Sequence, residues 1–354
     1  MHKLLFVFCI LFGAQNNLGI TSYDKIAGSL LGAALGDALG APVEFIKSYA
    51  QIKNIFPPNG IQGIDSLTSK HFAPDEHGTI VLPYTDDTAM SIVVVKTFLK
   101  KYKNSIHEAM GALAKDFVHD MEHPFGWARP SRAPGLASQK NTKIIKQRWL
   151  DGADRKDPHN WWKAGGIKDG GCGSVMHAHP FGLIFAHDIQ KAELWAVEHS
   201  KITHGAPIAL AACAAMAVGV AYAFNGLNPS GVVHAMYDAA NRYDASTAIK
   251  IEKAIAYAQD ISYSSEKVFE EFLGWSASDA IAATVYIFMK YPDDLQKAIL
   301  LGVNTPGDSD SIASMAGALV GARLGIQQLP SEWIEQLEEK EKLNSLAHEL
   351  AKLI

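Results

Sequence analysis

Cysteine is scarce in this chain. Only Cys9, Cys172 and Cys213 occur among 354 residues. That excludes a disulfide framework and a clustered zinc site, and nothing in the spacing supports a single Cys172–Cys213 bond. Basic runs are also missing. With a formal net charge of −5 and no dense Lys/Arg stretch, the chain lacks the electrostatic footprint of a nucleic-acid binder, and no nucleic-acid partner is expected. Sustained strand-like alternation is absent, as is any fixed-period repeat. The Leu4–Phe12 apolar run is too short to span a bilayer. Following Lys3, it reads as the core of a secretory signal within residues 1–20, cut after Gly19 or Ala14. Export to a periplasmic or extracellular space is the expectation, with no stable membrane span in the mature form; a segment left unprocessed implies the cytoplasm instead.

What is present is helical. Apolar residues make up 48% of the chain, enough for a sizeable core in one to three domains. Tyr23–Gly40 reads as the first helix of the mature chain. Gly28, Gly32, Gly36 and Gly40 recur at every fourth residue and form a ridge without side chains. Gly317, Gly321 and Gly325 repeat the device near the other end. Such spacing serves helix dimerisation in membranes. Here Asp24, Lys25 and Asp37 interrupt one run and Arg323 the other, which favours close packing inside a soluble bundle. Periodicity and breakers predict helices over 86–103, 105–122, 174–186, 189–201, 205–224, 229–241, 246–261, 265–272, 277–290, 294–303 and 331–352. Lys47–Pro83 and His123–Gly171 are broken by proline and glycine and read as long irregular loops. Trp127, Trp149, Trp161 and Trp162 read as packing of the second loop over the core, with a pocket wall as the alternative.

Two acidic stretches open amphipathic runs. Thr85-Asp86-Asp87-Thr88 leads into Met90, Val93, Val94, Thr97 and Phe98. Gly307-Asp308-Ser309-Asp310-Ser311 leads into Ile312, Met315, Ala316, Leu319 and Val320. Helix starts carry free N–H groups and partial positive charge, so they tolerate carboxylates. Either stretch alone reads as an N-cap. Capping needs one oxygen, however, and each stretch supplies several. Carboxylates with hydroxyls and no neighbouring thiol suit a hard cation such as Mg²⁺ or Mn²⁺. If the two helix starts meet, these groups repel unless a metal or protons neutralise them. Asp37 reads equally as a supporting carboxylate behind that site or as a solvated helix-end residue.

Together with three further stretches, this pair resembles the signature of the ADP-ribosylglycohydrolase family. Gly28 to Phe45 resembles the family's first helix and the loop after it. Gly171-Cys172-Gly173-Ser174-Val175-Met176 resembles its substrate-binding glycine loop, and Thr203-His204-Gly205 its central Thr-His motif. The five stretches fall in the family's order between residues 24 and 326. The resemblance implies an all-α fold: a single orthogonal multi-helix domain with long loops over residues 21–354. It also implies cleavage of the N- or O-glycosidic bond between ADP-ribose and a modified protein residue, at a centre of two Mg²⁺ (or Mn²⁺). Its partner would be an ADP-ribosylated protein or a small molecule containing ADP-ribose.

Matched position by position, the resemblance puts metal ligands at Thr85, Asp86, Asp87, Asp308, Asp310 and Ser311, with Glu44 added in some members. Catalysis falls to Glu44, Asp86, Asp87, Asp308 and Asp310. Carboxylates there would stabilise oxocarbenium character at C1″, and one left un-neutralised would act as general base; the sequence does not choose among them. Gly171, Gly173, Ser174, Met176 and His204 are the expected substrate contacts, the loop N–H groups suiting a pyrophosphate. His204 reads equally as a cap or core histidine. Two positions depart from the family pattern. Cys172 stands where Asn is common, and His177 stands where Arg is common, which would remove a phosphate-pairing charge. Two other functions fit the same residues: hydrolysis of a free ADP-ribosyl metabolite, or a binding or structural role without turnover.

Overall fold

Many helix starts are written into the chain. Thr21 caps the first helix through a capping box, its hydroxyl accepting the Asp24 N–H while the Asp24 carboxylate takes the Thr21 N–H. Ser48, Asp188, Asn228, Asp244, Ser264, Ser276 and Asp294 each accept the N–H three residues on and cap seven more. The structure, a computed structural model, describes residues 19–75, 77–122 and 132–354. The expected signal core at Leu4–Phe12 and Trp127 lie outside the described residues. The first nine helices are α1 (Ser22–Gly40), α2 (Tyr49–Ile55), α3 (Asp86–Lys101), α4 (Ile106–Glu122), α5 (Leu136–Leu150), α6 (Ala153–Lys156), α7 (His179–Ile184), α8 (Ile189–Ser200) and α9 (Pro207–Phe224). The rest are α10 (Pro229–Asn241), α11 (Ala245–Gln259), α12 (Ser265–Glu271), α13 (Ala277–Lys290), α14 (Leu295–Val303), α15 (Ser309–Leu324), α16 (Ser331–Gln336) and α17 (Lys340–Ala351). One short antiparallel pair, β1 (Ala73–Pro74) and β2 (Ile80–Val81), completes the described elements. The fold is all-α, as expected.

The glycine ridges do what their spacing suggested. Helices α1 and α15 run face to face with backbones in contact. A Cβ on Gly32 would lie 2.7 Å from the Gly317 carbonyl oxygen, and one on Gly36 would lie 2.3 Å from that of Ala313. No side chain fits there, so the two axes approach as closely as backbones allow. Helix α9, alanine-rich and almost wholly buried, is the second central rod, as expected for a helix apolar all round. The Ser22–Val43 and Pro207–Phe224 segments are long and apolar enough to cross a membrane, but 89% and 78% of their apolar windows are buried inside the fold.

Some expected boundaries differ. The loop expected over His123–Gly171 contains α5, whose buried residues are Ser138, Asn141, Thr142 and Ile145. Their spacing is helical but mostly polar, so apolar periodicity does not reveal it. Trp161 and Trp162 are buried as expected, whereas Trp149 is exposed. The loop expected over Lys47–Pro83 holds α2 and the β pair. The helix expected over 174–186 is only a turn at Cys172–Ser174 followed by α7, which starts at the His179–Pro180 pair. The helix expected over 331–352 breaks at Leu337–Glu339, where Glu339 takes φ +53°. That break turns Glu338 into the core, 1% exposed.

Candidate metal and sugar site

Thr85 precedes α3 without capping it. Its hydroxyl donates instead to Asp37 Oδ1 at 2.8 Å and to Asp87 Oδ2 at 3.2 Å. Asp37 is fully buried in α1. It also accepts the Thr85 N–H at 2.9 Å, the Thr88 N–H at 3.0 Å and the Thr88 hydroxyl at 2.6 Å. One carboxylate thus gathers the donors at the start of α3, which corrects the solvated alternative for Asp37. A second clamp lies behind it. Arg132 Nη1 and Nη2 each donate to the Glu338 carboxylate at 2.8 Å, and Nη1 also donates to the Tyr84 carbonyl at 2.6 Å. The Arg132 carbonyl accepts the Asp86 N–H at 3.0 Å. Both partners of this ion pair are buried.

The start of α15 is built by backbone. Gly307 sits at φ +99°, where a Cβ would also meet the Leu273 carbonyl oxygen at 2.4 Å, so glycine alone fits the turn. The Phe45 N–H donates to the Gly307 carbonyl at 3.0 Å, and the Gly307 N–H returns to that of Ile46 at 2.9 Å. These two bonds tie the loop carrying Glu44 to the turn carrying Asp308. Asp308 donates its own N–H to the Leu273 carbonyl at 2.9 Å, and its side chain caps nothing. Ser309 points away and donates to the Gly40 carbonyl at 3.0 Å.

The two helix starts converge. Carboxylate oxygens of Asp37, Asp87 and Asp310 lie within 4.8 Å of one another, and so do those of Glu44, Asp308 and Asp310. Asp310 belongs to both groups. Burial first, then the charges of its neighbours, holds Asp86, Asp87 and Asp310 well above the usual carboxylate range. Burial raises Asp37 and Asp308 too, partly offset by the hydrogen bonds they accept. Asp86 feels Asp37, Glu44 and Asp308 but lies outside both triads. Asp87 Oδ1 is buried with no hydrogen-bond partner. A buried carboxylate oxygen lacking a donor calls for a cation or a proton. The surrounding donors are mostly oxygen and suit hard divalent ions, so the residues present fit the implied metal.

The glycine loop lies alongside. Gly171 pairs with Ser276, the Cys172 N–H reaches the Trp275 carbonyl at 3.3 Å, and the Gly170 carbonyl accepts the Ala277 N–H at 3.0 Å. Gly173 lies against the His204 ring, where a Cβ would sit 2.9 Å from Cε1. His204 is itself buried, bonded through Nδ1 to the Thr203 hydroxyl at 2.9 Å, and burial holds it down to about 4. Of the two side chains expected at the substrate, that of Ser174 turns into the core and that of Met176 reaches Ser311 in the acidic centre. Ser174 is fully buried and pairs with Ser200 at 2.9 Å, while Met176 accepts the Ser311 hydroxyl at 3.7 Å. His177 is fully buried too, its Nδ1 2.8 Å from His199 Nε2. The position where the family pattern commonly has arginine thus faces the core here. Cys172 Sγ lies 2.6 Å from Asp308 Oδ2 and 3.7 Å from Ser311 Oγ. Cys172 and Cys213 are free thiols, so the possible bond between them is not formed.

Sequence reasoning missed Arg132 and Glu338. Neither sits in a motif; each matters through a partner 206 positions away. The donors that fix Asp37 were in view, since Thr85 and Thr88 flank the acidic pair.

Comparison with known proteins identifies the family of the chain. The family model described as ADP-ribosylglycohydrolase matches residues 19–354. An ADP-ribosylarginine hydrolase, Tri1, of Pseudomonas putida is 24% identical over 92% of this chain and 78% of its own length. The ADP-ribosyl-[dinitrogen reductase] glycohydrolase of Rhodospirillum rubrum is 26% identical, with 91% and 93% covered. A solved chain described as an ADP-ribosylglycohydrolase-related protein complex superposes with a TM-score of 0.68 at 21% identity, covering 94% of this chain and 98% of that one. The chain belongs to the ADP-ribosylglycohydrolase family.

Proposed function

We propose that this protein removes ADP-ribose from modified protein residues by hydrolysing the N- or O-glycosidic bond at C1″. The observation that carries this is the pair of acidic triads sharing Asp310, beside an Asp87 oxygen buried without a donor. Two divalent cations, Mg²⁺ or Mn²⁺, held by Thr85, Asp86, Asp87, Asp308, Asp310 and Ser311, would supply the charge that neutralises these carboxylates and would activate water and orient ribose hydroxyls. The protein's own groups do the remaining work. Glu44, half-buried on the loop tied to Gly307, is positioned to hold the water's proton as general base. The surrounding carboxylates stabilise positive charge as it develops at C1″. Backbone N–H groups of Gly173 and Ser174, in the turn that the Cys172 N–H fixes to the Trp275 carbonyl, are suited to the pyrophosphate. Burial keeps bulk water out, so each charge acts in a low dielectric.

Two relatives support a protein-linked substrate, since their names describe ADP-ribosylarginine and ADP-ribosyl-[dinitrogen reductase]. The test is release of ADP-ribose from arginine-, serine- and acetyl-linked substrates, with and without chelator. Metal-dependent release from a protein linkage is the expected result. Release from free metabolites alone would move the substrate to small molecules, and no release from any would remove the hydrolase assignment. Export through residues 1–20 is part of the same proposal. Mass spectrometry of the protein from its native cell should find the N-terminus between about residues 15 and 22. An intact Met1 in the cytoplasm would overturn it.

A further inference from the structure

One side chain in the acidic centre is chemically out of place. Carboxylates and hydroxyls surround it, yet Cys172 Sγ lies 2.6 Å from Asp308 Oδ2 and 3.7 Å from Ser311 Oγ. We propose that Cys172 is a sulfur ligand of this centre, so that the seat beside Asp308 takes thiophilic divalent cations, such as Zn²⁺, Co²⁺ or Cd²⁺, in preference to Mg²⁺. The inference rests on the metal-centre reading given above.

Three observations carry it. First, the thiol is built into position. The turn that bears it is fixed by the Cys172 N–H to the Trp275 carbonyl and by the Gly171–Ser276 pairing, so the sulfur needs no loop movement to reach the site. Second, it converges with Asp308, which joins Glu44 and Asp310 in one of the acidic triads. A cation bound by both atoms would replace the thiol proton, which leaves to solvent. Their separation would then open to about 3.5 Å, given zinc–sulfur and zinc–oxygen bond lengths at a tetrahedral angle. Third, Asp87, 2% exposed, keeps Oδ1 without a donor, in the acidic triad that shares Asp310 with the Asp308 group. A buried carboxylate oxygen left unpaired in this centre marks it as a place for a cation or a proton rather than for a packing contact. Thiolate donors select softer metals than an all-oxygen set does, whatever the geometry.

The structure separates this thiol from the other described one. Cys213 lies on α9 and donates to Ser174 Oγ at 3.4 Å, away from every carboxylate of the triads. A sulfur signal can therefore be assigned by single substitution.

The full-length protein, stripped of metal, should be titrated with Co²⁺ and followed by absorption. Visible d–d bands report occupancy of the centre, and a near-ultraviolet sulfur-to-cobalt band reports the thiolate. Both bands are expected in the wild type. Cys172→Ser should keep the visible bands and lose the ultraviolet one, while Cys213→Ser keeps both. In calorimetry, Cys172→Ser and Cys172→Asn should bind Zn²⁺ about tenfold or more weakly, the loss expected even of an outer-shell partner, with Mg²⁺ affinity little changed. Visible bands in the wild type without the ultraviolet band would overturn the sulfur ligand and leave the oxygen centre standing. Absence of any Co²⁺ bands would remove the centre and this proposal together.

Discussion

The starts of α3 and α15 carry the same cargo but are held by different physics. At α3 the chain is positioned by polar contacts. Asp37 collects two N–H groups and two hydroxyls, and the Arg132–Glu338 pair fixes the Tyr84 carbonyl. At α15 the chain is positioned by the absence of side chains: Gly36 and Gly40 against α15, and Gly307 against Leu273. A site assembled from opposite ends of a sequence thus uses two kinds of rigidity. Hydrogen bonds set direction at one start, and backbone contact sets distance at the other.

The two starts should therefore fail differently. The largest effect is expected for Asp308→Ala, about a thousandfold or more in kcat/KM, in line with loss of a preorganised electrostatic group. Its metal-free melting temperature should hold or rise, because a buried like charge is removed. Wild-type activity in that variant would sink the site assignment. Next comes Arg132→Ala, which leaves Glu338 charged and alone in the core. About 3–5 kcal/mol of stability should be lost in denaturant unfolding. The double variant Arg132→Met with Glu338→Leu should recover most of it without restoring turnover, since nothing then holds the Tyr84 carbonyl.

At the other start, Gly36→Ala puts a methyl 2.3 Å from the Ala313 carbonyl oxygen. It should cost about 1–3 kcal/mol by overpacking and weaken metal binding by pushing Asp310 away from Asp87. An unchanged melting temperature would show that the α1–α15 contact is not tight. Smaller still, Asp37→Asn should fold normally and lose about 10–100-fold in metal affinity, as outer-shell changes do, read by calorimetry. The smallest effect lies away from both starts. Burial holds His199 down to about 3 and His179 to about 4, so neither gains a proton as pH falls through the ordinary value of 6.5. Their ring resonances should stay fixed between about pH 7.5 and pH 5.5.

How much of this was legible depends on which physics acts. The helices with apolar stripes, such as α10 and α13, could be read to within a residue. Glycine spacing announced the α1–α15 contact because its cause is local to each helix. Helix α5 was hidden because its buried stripe is Ser138, Asn141 and Thr142, which carry no apolar signal. The break before Glu338 was hidden because its reason, Arg132, is distant in sequence. At the site, residue types near the helix starts marked the acidic centre. Where the side chains of the glycine loop point could not be read, so Ser174 was expected at a ligand although its side chain is buried against Ser200. Cys172 stood out in the sequence only as a substitution, and its contact with Asp308 needed coordinates.

The central claim is that both helix starts make one centre, where cation and sugar are bound together. Linkage then requires reciprocity: metal must tighten ADP-ribose by the factor by which ADP-ribose tightens metal. Titration calorimetry of ADP-ribose into the metal-free protein, and again with Mg²⁺ or Mn²⁺, measures that factor from both sides. The account predicts equal factors, each above about fivefold. An affinity for ADP-ribose unchanged by chelation would contradict it.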